Sequence, residues 1–113
     1  MILEKSWGLI KTYVQNQTCT VKMIVLSSGE RTSLHYHQMR DDMWVILDDG
    51  LEVQVGEKVY HPRAGDEFVV DAGTRHQLKA GRTPGRVLEI DFGFTTEEDV
   101  CYEDPSVPAD ETD

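Results

Sequence analysis

Apolar and β-branched residues in this chain come in short runs, broken by Gly, Asp or Pro roughly every 8–12 residues, and almost nowhere repeat at the helical spacing. A chain patterned this way buries alternate residues of extended strands, so the expected fold is all-β and antiparallel, one sandwich or barrel. Runs at 9–14, 18–26, 33–36, 43–47, 51–55, 58–61, 67–70, 75–79 and 86–93 read as its strands. In one of them Leu51, Val53 and Val55 alternate with Glu52 and Gln54, the pattern of a strand with a single buried face. Asp49-Gly50 predicts a tight hairpin turn, because both central positions of a type I′ turn need φ > 0. Gly56-Glu57, Gly65-Asp66 and Gly73-Thr74 mark further turns. Thr95-Thr96-Glu97-Glu98 has the form of a capping box and predicts one short helical turn near Glu97.

The 113 residues are the size of a single domain, and an apolar fraction of 39% is enough for a packed core without disulfides. The net charge of −10 argues against nucleic acid as a partner, since a duplex binder needs a positive footprint. That charge is uneven: residues 97–113 hold eight acids and no Lys or Arg, whereas the first 96 carry 13 acids against 11 bases. The expected division is a barrel domain over 1–104 and a solvated, disordered acidic tail over 105–113. No apolar run approaches the ~20 residues of a membrane span. Met1 to Thr20 shows no basic-then-apolar leader, so a cytoplasmic protein without a membrane partner is expected. Cys19 and Cys101 are too few for a disulfide framework and read as reduced thiols.

Of the four histidines, His35 and His37 lie two apart on an expected strand, so both imidazoles point to one face. An acid follows at Asp41 or Asp42, and His76 heads a later strand just past the turn at Gly73. Three imidazoles and one carboxylate suit a divalent ion, Zn, Mn, Fe, Co or Ni, and ligand type alone does not choose among them. The plainer reading, histidines satisfied within a core or lying on the surface, fits His61, which has no such company.

Gly29-x5-His35-x-His37-x4-Asp42 resembles the first cupin motif, and Gly65-x5-Asp71-x-Gly73-x2-His76 resembles the second. The stretches Trp7-Gly8, Gly29 to Leu34, Arg40-Asp41-Asp42-Met43-Trp44 and Glu89-Ile90-Asp91-Phe92-Gly93 look like type II mannose-6-phosphate isomerase, with the similarity running from Lys5 to Asp104. The resemblance implies a jelly-roll β-barrel holding one divalent ion on His35, His37, Asp42 and His76. In larger members a mannose-1-phosphate guanylyltransferase portion precedes this domain, and that activity is not carried over. The acid is usually Glu, so the shorter Asp42 would reach the ion by a backbone shift or through a water. The position of His35 is commonly Gln in this branch, Asp71 replaces the usual Pro, and Asp49 takes the place of a Gly.

The implied activity is aldose–ketose isomerisation of a phosphorylated sugar through an enediol, which needs a base at C2. Glu89, on the last expected strand, is the candidate base. Arg31, Arg40, Lys22 and Arg75 are the candidate cations for the phosphate, against the plain reading of solvated charges. Trp44 reads as a core or pocket-wall aromatic. Two other readings stand beside the isomerase. One is a different metal-dependent cupin enzyme, an Fe(II) oxygenase or a lyase on a small polar substrate. The other is a non-catalytic small-molecule-binding cupin. Small cupins commonly dimerise through sheet edges, and the strand at 9–14 is the expected participant in a homodimer.

Overall fold

The structure, a computed structural model, describes residues 1–96 and 98–102. It is all-β: β1 (Ile2–Lys5), β2 (Gly8–Lys11), β3 (Cys19–Leu26), β4 (His35–Tyr36), β5 (Asp42–Ile46), β6 (Leu51–Val55), β7 (Lys58–Tyr60), β8 (Glu67–Val70), β9 (His76–Ala80), β10 (Gly85–Phe92) and β11 (Cys101–Tyr102). Two antiparallel sheets, ordered β3-β10-β5-β8 and β11-β4-β9-β6-β7, face each other as the jelly roll expected from the sequence. Among the described residues the ladders do not run on into a closed ring. β1 and β2 form a hairpin of their own. No helix among the described residues is long and apolar enough to cross a membrane.

Each expected strand is present within a few residues, and two short ones, β1 and β11, were not foreseen. Asp49-Gly50 does not make the expected hairpin. The strands on either side of it belong to different sheets, and of the two residues only Gly50 has a positive φ. The segment is instead a crossover tied down by its acids. Asp48 receives the Arg86 main-chain and guanidinium N–H groups, and Asp49 Oδ1 receives Ala64 N–H at 2.8 Å. The true two-residue hairpin is Gly56-Glu57, where Val55 pairs with Lys58 and Gly56 supplies φ +62°. The helical turn expected at Glu97 and the acidic tail lie outside the described residues.

Registry sorts the inward side chains by polarity. Asp91, Glu89 and Val87 of β10 stand opposite Asp42, Trp44 and Ile46 of β5. In the facing sheet, His35 stands opposite His76, and Leu78 opposite Val53. One end of the interior is thus packed by Leu26, Ile46, Leu51, Val53, Leu78 and Val87, with Trp44 and Val70 in the same cluster. The other end is lined by buried His, Asp and Glu. Burying the apolar end supplies the cohesion, about 25 cal/mol per Å² of apolar surface removed from water. It also fixes the strands whose opposite ends carry the polar residues.

Candidate metal centre

His35, His37 and His76 are each almost wholly buried, and their ligating atoms lie within 4.8 Å of one another. Same-strand spacing brings His35 and His37 together, although β4 itself ends at Tyr36. The loop after His37 is held by Gly73, whose N–H donates to the His37 carbonyl at 2.7 Å and whose φ of +83° is a conformation that glycine adopts without strain. That bond links the loop carrying His37 to the turn that leads into His76.

In all three rings Nδ1 meets a main-chain carbonyl: Ser33 for His35 at 3.0 Å, Asp99 for His37 at 2.6 Å, and Thr74 for His76 at 2.9 Å. A carbonyl only accepts, so Nδ1 carries a proton in each, with Nε2 the nitrogen left to ligate. Arg40 bears this out at His37: its Nη2, which only donates, lies 2.8 Å from Nε2. Three imidazoles whose ligating atoms converge, each ring fixed by its Nδ1, are a donor set that fits a divalent ion.

Beside the imidazoles lies a second cluster, Asp42, Glu89 and Asp91, all buried. Trp44 Nε1–H donates to Glu89 Oε1 at 2.8 Å, and the indole ring sits 5.3 Å from the His76 ring. Arg40 Nε donates to Asp42 Oδ1 at 2.9 Å, and Lys22 Nζ lies 3.0 Å from Asp91 Oδ2. Burial, then a hydrogen bond with Asp91 and its charge, pushes Asp42 up to about 8 against the pull of Arg40. Burial works against the charged form of Arg40, but Asp42, Asp91 and Glu89 outweigh it and raise its pKa. The cluster thus sets the buried carboxyl groups of Asp42, Glu89 and Asp91 against the cations Arg40 and Lys22.

The site residues expected from sequence fall into groups. His35, His37 and His76 converge, while Asp42 joins the acids and comes within 3.6 Å of His37 Nε2. Glu89 points inward, the question its flanking residues left open. Lys22 and Arg40 face the acids, whereas Arg31 is exposed beside Lys79 and Arg75 donates to Glu57 at 2.7 Å. Asp41 is turned to the neighbouring loop, accepting Ala72 N–H at 2.7 Å. His61 stays on the surface. Two functional positions were not singled out. Asp91 was legible as the same-face neighbour of Glu89, two residues on. Asp99 carried no local signal and was counted with the tail acids.

The comparisons agree with this architecture. Residues 2–104 match the family described as mannose-6-phosphate isomerase C-terminal. A mannose-1-phosphate guanylyltransferase of Klebsiella pneumoniae is 31% identical over 96 residues, 84% of this chain and 20% of the relative. The xanthan biosynthesis protein XanB of Xanthomonas campestris pv. campestris is 29% identical over 103 residues, 88% of this chain and 22% of the relative. The chain thus spans about a fifth of the length of these curated relatives. KdgF from Halomonas sp. superposes with a TM-score of 0.67 at 16% identity, covering 75% of this chain and 77% of that one, a likeness of fold.

Proposed function

This chain belongs to the mannose-6-phosphate isomerase C-terminal family, and on that premise we propose that it is a metal-dependent isomerase interconverting the aldose and ketose forms of a phosphorylated sugar. The observation that carries the reading is the convergence of three imidazoles beside a buried acid cluster faced by Arg40 and Lys22. His35, His37 and His76 would hold the ion through Nε2, with Asp42 the carboxylate at hand on the His37 side. A bound divalent ion supplies positive charge to the sugar's carbonyl and hydroxyl oxygens as negative charge grows on them.

The remaining work falls to the chain. Glu89, oriented by the Trp44 N–H, is the proposed base at C2. Lys22, Arg31, Arg40 and Arg75 remain the proposed cations for the phosphate. Arg40 touches His37 and lines an open surface groove with Gln38, Asp41 and Phe92. The test is turnover of mannose 6-phosphate to fructose 6-phosphate after metal add-back, with Glu89→Gln lowering it ~10²–10⁴-fold. No turnover with Zn, Mn, Fe, Co or Ni overturns the isomerase, and iron retained through purification would redirect the reading to oxygen chemistry.

The reading includes a homodimer. The outer face of edge strand β3 presents Val21, Met23 and Val25, and the β1–β2 hairpin presents Ile2, Leu3, Trp7, Leu9 and Ile10, all exposed. A two-stranded hairpin is marginal in water without a surface to pack on. Reciprocal packing of two such chains, each hairpin against the partner's sheet, covers both apolar surfaces with one two-fold contact.

A further inference from the structure

Past β10 the chain turns back across the ligand end, and Asp99 meets the loop after β4 with three acceptor atoms. Its carbonyl takes His37 Nδ1–H at 2.6 Å, and its carboxylate takes the main-chain N–H groups of Gln38 and Met39, each at 2.8 Å. Immediately beyond, β11 pairs with β4 and sets Tyr102 opposite His35. Resting on the metal-binding reading above, we propose that Asp99 is a positioning residue of that centre, fixing the His37 tautomer and aiming its Nε2 at the point shared with His35 and His76.

The three imidazoles differ in where their anchors come from. Ser33 and Thr74 each stand two residues before the ring they hold, so the local chain sets His35 and His76. The anchor of His37 lies 62 residues away in sequence. A lone carbonyl arriving from that distance fixes a ring only if its own segment is fixed. The Asp99 carboxylate does this by accepting two successive N–H groups of the very loop His37 begins, and bonds to an ionised acceptor are the stronger kind. Ring, loop and returning segment are thus clamped by one residue. Partners of this sort, which orient a ligating imidazole through its far nitrogen, typically change metal affinity 10–100-fold when removed.

The test uses the full chain with ¹⁵N-labelled histidine. A long-range ¹H–¹⁵N spectrum reads each ring's tautomer, His37 being assigned by its loss in His37→Gln, and Co²⁺ binding is followed by visible absorption. The wild type is expected to show His37 protonated at Nδ1 alone. Asp99→Ala is expected to move His37 to a mixture of tautomers while leaving His35 and His76 in place, and to weaken Co²⁺ binding ~10–100-fold. Asp99→Asn, which keeps one acceptor oxygen, falls between. A folded Asp99→Ala chain with an unshifted His37 and Co²⁺ affinity within about twofold of wild type overturns the proposal. If Asp99→Ala unfolds, Asp99→Asn carries the same reading. If the wild type takes up no Co²⁺, the metal reading fails, and the His37 spectrum still decides the role of Asp99.

Discussion

Asp42 and Asp91 stand directly opposite each other across β5 and β10, both sealed from solvent. Two carboxylates in such a place cannot both ionise cheaply. Here burial and the contact with Asp91 push the Asp42 carboxyl up to about 8, against the pull of Arg40.

Removing a cation from this cluster is therefore expected to hurt more than neutralising the acid. Arg40→Leu leaves buried carboxylate charge uncompensated and should cost about 3–5 kcal/mol. Asp42→Asn, close in shape to the protonated acid, should cost about 1 kcal/mol. Urea denaturation of the two variants ranks them, and an equal loss would contradict the charge balance.

Trp44→Phe is expected to lose about 2–4 kcal/mol. It removes an indole N–H from the buried carboxylate of Glu89 and leaves a void beside His76. Denaturation of Trp44→Phe, Glu89→Gln and the double variant should show non-additive losses, since the two side chains share one bond.

Loading with Co²⁺ or Zn²⁺ should raise the stability of the wild type, by about 2.7 kcal/mol at a free concentration 100 times Kd, and a chelator should reverse it. His37→Ala and His76→Ala should abolish that gain. His61→Ala, on the surface, should keep it in full. Thermal melts with and without metal read all four proteins.

Acid stability is expected to depend on the crossover at Asp48. The Arg86 guanidinium beside it holds the Asp48 carboxyl below its ordinary value. A lowered folded-state pKa contributes stability that is present above the unfolded value near 3.8 and is lost as pH falls through the folded one. Arg86→Gln should therefore be less stable at neutral pH and unfold at higher pH in an acid titration followed by Trp fluorescence, the two proteins converging below the folded-state Asp48 value. An acid midpoint equal to that of the wild type would remove the pair from the account.

Light scattering at micromolar concentration should give the mass of two chains. Met23→Lys with Val25→Lys, on the outer face of β3 and away from the imidazoles, should halve it while leaving metal binding intact. A wild-type monomer refutes the homodimer.

Much of the fold was legible because strand periodicity and turn chemistry are local. The alternation at Leu51, Val53 and Val55 placed β6 to the residue, and the two-residue spacing of His35 and His37 put both rings on the inner face. What escaped was set at a distance. Asp49-Gly50 carries a strong hairpin signal, but Arg86 and Ala64 capture the acids of that segment and turn it into a crossover. β1 went unseen, its four residues, like those of its partner β2, lying exposed. Asp42, expected beside the imidazoles, lies 3.6 Å from His37 Nε2, and its pairing with Asp91 and Arg40 depends on β10 and the loop before β5. Asp99 serves His37 only because the chain doubles back, and nothing in its neighbours announces that.

The sorting of inward side chains along β5 and β10 means that single strands are glued by dispersion at one end and by ions at the other. Their amides should then exchange with solvent at graded rates, slowest near Ile46 and Val87 and faster toward Asp42 and Asp91. A scaffold built so is rigid where nothing reacts and yielding where a ligand has to enter.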